Sequence, residues 1–305
     1  MAKRRKKIGM IASDVCKEKH GPGRTKNWFH LRKFIETYKE VLDDYQIMAT
    51  DGTADIITET VAQLRKSNKR VKELDVKRLG RTYRGVVKLA AKVARGEIDR
   101  VLCFEDPKDL ETDHPQNYAL MRNCNLRGAK LCLNEAARLW AEYEKGKKTP
   151  KKRKRVRAKG TVAFIAHDGE KQRMADFVIE YHKPLKRFSA LTGTSGTAKY
   201  INKRFKAAKP GKGSFRIDPV ASATKQGHGP TGGDVIIADK IYDAYKKDPK
   251  LDSPFHILFF IDHKSAHAHE ADIHVLLRTC VDPLMCVNLI LNSKMAEEWI
   301  QRYKT

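Results

Sequence analysis

Asp234 closes the stretch GHGPTGGD, Gly227 to Asp234, which holds four glycines, a proline and a single acid. Glycine lets a backbone take φ > 0 and approach a ligand closely. The apolar residues that follow, Val235 to Ala238, predict the start of a helix, so Asp234 falls at a helix N-terminus, where the dipole favours its charged form. A carboxylate beside a Gly-rich turn repels phosphate, so this one is suited to act on a substrate rather than to hold its phosphate. Three further polar clusters lie in the same half of the chain: His167, Asp168 and Lys171; Thr192, Thr194 and Ser195; and Asp262, His269 and Asp272. Hydroxyls, glycine N–H groups and an ammonium suit a phosphate monoester. Two imidazoles and several carboxylates suit proton transfer. Each cluster also has a structural reading: His167 as a strand-end cap, the TGTSG run as an ordinary helix N-cap turn. His263, His267, His269 and His274 lack an HxxxH pair with a neighbouring acid on one clear helix, so no metal is expected.

The elements that must position these groups follow from apolar patterning. Buried strands are expected at Ile8–Ala12, Tyr45–Ala49, Arg100–Phe104 and Lys130–Leu133, then at Thr161–Ala166, Phe188–Leu191, Phe255–Ile261 and Met285–Leu289. Helical spacing marks Trp28–Tyr38, Val86–Arg95, Asn117–Leu126, Glu135–Tyr143, Met174–Tyr181, Val235–Tyr245, Ile273–Thr279 and Lys294–Tyr303. The halves match piecewise: IGMIASD with VAFIAHD, YQIMATDGT with FSALTGTSG, VLCFEDP with ILFFIDH. This pattern predicts a tandem duplication of one α/β unit. Each copy would be a doubly wound, mostly parallel sheet with helices on both faces. The expected boundaries are residues 1–145, a basic linker at 146–160 and residues 161–305. Polar residues gathered just after the strands put the site at the carboxyl edge of the second sheet.

Composition narrows the class. A chain of 305 residues with 41% hydrophobic residues builds real cores, which excludes a disordered protein. A net charge of +25 calls for a polyanionic neighbour, RNA or a ribonucleoprotein, reached through the basic tail at Lys3–Lys7 and the linker. Cys16, Cys103, Cys124, Cys132, Cys280 and Cys286 show no CxxC spacing and read as reduced thiols. With no apolar run long enough for a bilayer, a cytoplasmic protein without membrane association is expected.

From Thr161 to Trp299 the second half resembles methylglyoxal synthase. The resemblance rests on His167-Asp168 with Lys171 three residues on, the threonine loop Thr192–Gly196, the run Gly229-Pro230-Thr231-Gly232-Gly233-Asp234, and Phe259-Phe260-Ile261-Asp262 followed by His269 and Asp272. It implies a carbon–oxygen lyase, without metal or cofactor, that converts dihydroxyacetone phosphate to methylglyoxal and phosphate. Asp234 would remove a carbon-bound proton, and His269 and His167 would polarise the carbonyl. Lys171, Thr192, Thr194, Ser195, His228 and Gly229 would hold the phosphate, while Asp168, Asp262 and Asp272 orient the others. The family's single domains assemble, so a homo-oligomer is also implied. His228 replaces the family's usual serine, His263 its proline, and no arginine near the C-terminus matches the family's.

The first half resembles that family weakly. Ser13 stands at the first His position, Thr50-Asp51-Gly52-Thr53 puts an acid in the phosphate loop, and Gly80–Gly85 lacks the acid. This copy is expected to be inactive, a packing partner or a platform for an anion. The alternative for the whole chain is a non-catalytic protein that binds RNA or a ribonucleoprotein, or that senses a small anion.

Overall fold

Two runs of alternating apolar strands and amphipathic helices form two units, Met1–Arg153 and Lys154–Thr305. The structure, a computed structural model, describes residues 5–13, 16, 31–105, 115–148, 158–210, 215–220, 233–247, 255–262, 270–282, 285 and 287–303. Unit 1 runs β1 (Lys6–Ala12), α1 (Leu31–Leu42), β2 (Tyr45–Ala49), α2 (Asp51–Ser67), β3 (Asp75–Arg78), α3 (Thr82–Ala94), β4 (Arg100–Phe104), α4 (Pro115–Arg127), β5 (Lys130–Leu133) and α5 (Asn134–Lys148). Unit 2 runs β6 (Thr161–Ala166), a 3-10 turn (Asp168–Glu170), α6 (Lys171–Leu185), β7 (Ala190–Gly193), α7 (Ser195–Ala208) and β8 (Asp218–Pro219). It continues with α8 (Gly233–Lys247), β9 (His256–Phe260), α9 (Glu270–Val281), β10 (Asn288–Ile290) and α10 (Ser293–Gln301).

The sheets have the same plan. Unit 1 orders its strands β3-β2-β1-β4-β5, and unit 2 orders them β8-β7-β6-β9-β10. All the strand pairs are parallel. Central parallel strands are covered on both faces, which is why β4 and β9 are buried at every residue. Among the described residues no helix is long and apolar enough to cross a membrane. Cys103, Cys124 and Cys280 are buried thiols whose titration burial pushes up, Cys124 to about 12.

Several elements differ from the sequence expectation. The sequence marks no helix after the polar run Thr50–Thr53, and none after Thr192–Gly196, which reads as a phosphate loop or a helix N-cap turn. Instead α2 and α7 begin inside them, at Asp51 and Ser195. The apolar stripe of α2 is built from small and β-branched residues, Thr53, Ala54, Ile57, Thr60 and Val61, so it reads as polar. Strands β3 (DVKR) and β8 (DP) are short and polar, and ladder hydrogen bonds rather than apolar side chains hold them. The strand expected at Phe188–Leu191 lies at Ala190–Gly193, which moves Thr192 and Gly193 into the ladder opposite Ala163 and Phe164. The expected linker start at residue 146 falls inside α5, which continues to Lys148.

Unit 2 carries a buried histidine away from any candidate chemistry. His256, 2% exposed, sits 5.2 Å from the Phe188 ring and 5.1 Å from Trp299, with Asn288 Nδ2 3.1 Å from its Nδ1. Desolvation first, and the Arg302 charge second, lower its pKa from 6.5 to about 3. The unfolded chain then binds the proton more readily than the folded one. Stability is therefore complete above pH 6.5 and is lost as pH falls toward 3. By pH 4.5 the loss should reach roughly 2–3 kcal/mol. Hydrogen exchange of the β9 amides between pH 7 and pH 4.5 should show this loss. A His256→Phe variant should flatten the slope even if its stability at pH 7 is lower, and an unchanged slope would remove His256 as the cause.

Candidate active site

An open α/β sheet binds ligands beyond the carboxyl ends of its strands, where the strand order reverses. In unit 2 that point lies between β6 and β9. His167 directly follows β6, and its N–H donates to the Phe260 carbonyl at 3.2 Å. The Asp262 N–H donates to His167 Nδ1 at 3.1 Å. Accepting at Nδ1 places the proton of a neutral ring on Nε2, so His167 is a donor from that nitrogen. The ring is 7% exposed and meets Phe259 edge-on at 5.5 Å. A Cβ placed on Gly169 would fall 2.5 Å from Asp262 Oδ2, so the Asp262 carboxylate lies against the turn that carries Asp168.

The next strand end supplies the anion-binding geometry. Thr194 precedes α7 in an extended conformation, leaving the first amides of that helix directed outward. A Cβ on Gly196 would lie 3.2 Å from Lys171 Nζ, which puts the ammonium over the first turn of α7. Asp168, almost fully exposed, forms an ion pair with Lys171 and holds it there. A helix N-terminus, the Ser195 hydroxyl and a lysine therefore converge, which suits a phosphate group.

Asp234 reaches this place through α8. It lies in the first turn of that helix and is buried. A Cβ on the preceding Gly233 would fall 2.9 Å from Thr194 Cγ2, so only glycine lets the start of α8 pack on the Thr194 side chain. The carboxylate, the helix N-terminus and Lys171 thus share one end of the sheet with His167 and Asp262.

Of the residues singled out by sequence, Asp234, His167, Asp168, Asp262, Lys171, Thr194 and Ser195 gather in this way. Thr192 does not join them as a phosphate ligand. It sits within β7, and its hydroxyl donates to the Asp218 carbonyl at 2.9 Å, tying β8 to the sheet edge. Asp272 lies on α9, with its side chain outside the described residues. His228, Gly229, His263 and His269 also lie outside the described residues.

One positioning residue escaped the sequence reading. Thr197, 1% exposed, accepts from the Ala166 N–H at 3.1 Å and from the Thr194 hydroxyl at 2.9 Å. It locks the end of β6 to α7. Its signal was a repeated T-x-x-T, because Thr53 accepts from Ala12 N–H at 3.2 Å and lies 2.9 Å from Thr50 Oγ1. Thr197→Val keeps the shape but leaves the Ala166 amide unpaired. It should cost about 1–3 kcal/mol and weaken binding of a phosphate analogue several-fold. A variant with wild-type melting and affinity would show that the bond does neither.

These repeated bonds make the units comparable residue by residue. Ser13 stands where His167 does, its N–H donating to Phe104 O at 2.9 Å. Gly85 presses on Thr50 Cγ2 as Gly233 presses on Thr194 Cγ2. By this contact Gly85 corresponds to Gly233, and Val86 to Asp234. Asp51 corresponds to Ser195, and its Oδ1 accepts from the Gly80 N–H at 3.0 Å. At the first turn of α2, unit 1 therefore carries a carboxylate where unit 2 has the Ser195 hydroxyl.

Comparison with known proteins finds relatives of one family. The family model described as "MGS-like domain" matches residues 30–128. Those residues lie in unit 1, the half whose resemblance was expected to be the weaker. A methylglyoxal synthase from Clostridium beijerinckii is 32% identical over 129 residues, 42% of this chain and 90% of that protein. One from Thermus thermophilus is 29% identical over 133 residues, 43% of this chain and 88% of that protein. The crystal structure of methylglyoxal synthase from Elizabethkingia anophelis matches with a TM-score of 0.34 and 22% identity, over 47% of this chain and 77% of that one. The Clostridium beijerinckii protein, 32% identical and matched over 90% of its length, shows that the chain belongs to the methylglyoxal synthase-like family.

Proposed function

We propose that unit 2 is a methylglyoxal synthase-type lyase acting on dihydroxyacetone phosphate. The observation that carries this reading is the meeting of the buried Asp234 carboxylate, through Gly233 and Thr194, with the α7 N-terminus beneath Lys171. Substrate phosphate would sit on the first amides of α7, the Ser195 hydroxyl and the Lys171 ammonium, with His228 and Gly229 completing the cradle. Asp234 would take a proton from the carbon next to the carbonyl. The electron pair would move into the carbonyl oxygen, where His167, through Nε2–H, and His269 stabilise the enediolate. Collapse of the enediolate breaks the carbon–oxygen bond to phosphate, which leaves with both bonding electrons. The remaining enol takes up a proton at carbon and becomes methylglyoxal. Asp262 and Asp168 would act as positioning residues, the first on His167 and the second on Lys171.

We read the two units as duplicated copies, supported by their shared strand order and matched threonine bonds. In that reading unit 1 is inactive, because Ser13, Asp51 and Val86 replace the imidazole, the phosphate hydroxyl and the base. The test is phosphate release from dihydroxyacetone phosphate by the full chain, with an Asp234→Asn control. Release no faster than the control would end the lyase reading. A rise in melting temperature with phosphate compounds but no turnover would instead favour anion sensing.

A further inference from the structure

Residues 65–92 of unit 1 contain eleven lysines and arginines against two acids, Glu73 and Asp75. Three of these cations are paired: Arg65 with Glu73, Arg78 with Asp55 and Lys92 with Glu97. Lys69, Arg70, Lys77, Arg81, Arg84 and Lys88 are exposed and have no carboxylate partner among the described residues. They follow one path. It starts in the turn after α2, runs along β3, an edge strand of the sheet, and ends on the first turns of α3. The last two converge: a Cβ on Gly80 would lie 3.9 Å from Lys88 Nζ and 4.0 Å from Arg84 Cδ. Two exposed apolar side chains stand beside them one helical turn apart, Tyr83 at 42% and Val87 at 53%.

An edge strand needs a lysine or two to discourage pairing with another chain. Six unpaired cations spread over a turn, a strand and a helix exceed that need, and they repel one another unless a polyanion lies across them. An acidic protein would supply charge, but only nucleic acid supplies a phosphate row together with flat bases to cover an exposed tyrosine ring. We propose that this edge of unit 1 binds single-stranded nucleic acid, phosphates along the six cations and a base against Tyr83. The proposal is independent of the lyase reading of unit 2.

The test is fluorescence anisotropy of the full chain with labelled single-stranded 20-mers, RNA and DNA, from 50 to 300 mM KCl. Six phosphate contacts predict a slope of about −4 for log affinity against log salt. Arg81→Ala with Arg84→Ala should weaken binding and make the slope less negative by roughly 1.4. Tyr83→Ala should weaken it about 5- to 100-fold with the slope unchanged. Asp234→Asn should bind like the wild type, and each variant should keep the wild-type melting temperature. Four results would overturn the proposal: no binding by the wild type, wild-type affinity in both the arginine and tyrosine variants, binding that disappears only when the cations of residues 149–157 are replaced, or an acidic peptide of equal charge binding as tightly.

Discussion

Asp234→Asn is expected to lower the rate of phosphate release from dihydroxyacetone phosphate by about 10²- to 10⁴-fold, the usual worth of a positioned general base. Asparagine has nearly the same volume and keeps hydrogen-bonding atoms, so a residue as buried as Asp234 can be replaced with little disturbance of α8 packing. The change removes the proton acceptor alone. In the proposed mechanism the phosphate sits on other groups, the α7 N-terminus and Lys171, so a competitive phosphate analogue should inhibit or protect the variant as it does the wild type. The two readouts separate the roles. Loss of rate with intact analogue binding identifies a base; loss of both would mean that the new amide side chain disturbs Thr194 through Gly233. A variant retaining a third or more of the wild-type rate would exclude Asp234 as the base.

The strengths and gaps of the sequence reading share one physical origin. The interior strands β1, β2, β4, β6 and β9 were legible because strands covered on both faces are nearly continuous apolar runs, and the edge strand β5 was legible because it still buries Leu131 and Cys132. Edge strands β3 and β8 contribute ladder bonds and almost no core, so DVKR and DP carry no apolar signal. The same polar runs that announced chemistry hid two helices. Ser195-Gly196-Thr197 opens α7 with small polar residues and looks like a loop until Thr197 is found buried under β6. Type and spacing were enough to name Asp234, His167, Lys171 and Asp262 as one set, because each directly follows or opens an element at the same sheet edge. They were not enough to decide Thr192, whose assignment turned on two residues of strand register. Nor could they show that Asp51 turns back onto Gly80, because that bond joins residues 29 apart.

That bond leads to the second large effect. Ser195→Asp should raise KM for dihydroxyacetone phosphate, and weaken binding of inorganic phosphate, by about 10²- to 10³-fold while leaving the melting temperature unchanged or higher. In unit 1 the equivalent carboxylate, Asp51, sits in the first turn of α2 and satisfies a backbone donor. An acid in the first turn of a helix is stabilised by the dipole, by roughly 0.3–1 kcal/mol, so the fold tolerates the substitution in unit 2 as well. For ligand binding the sign is opposite. The new carboxylate would take the α7 N-terminus and compete for the Lys171 ammonium lying over Gly196. It would also face the phosphate dianion at short range, where a pair of unit charges near a protein surface interacts by a few kcal/mol. Ser195→Ala provides the scale, since it removes one hydrogen bond and adds no charge. That variant should lose about 3- to 10-fold, in line with roughly 0.5–1.5 kcal/mol for a typical hydrogen bond. If Ser195→Asp matched Ser195→Ala, the phosphate would have to bind elsewhere than on α7. If it reproduced the full loss with a stable fold, a single substitution would have given unit 2 a first-turn carboxylate like the one that Asp51 supplies in unit 1.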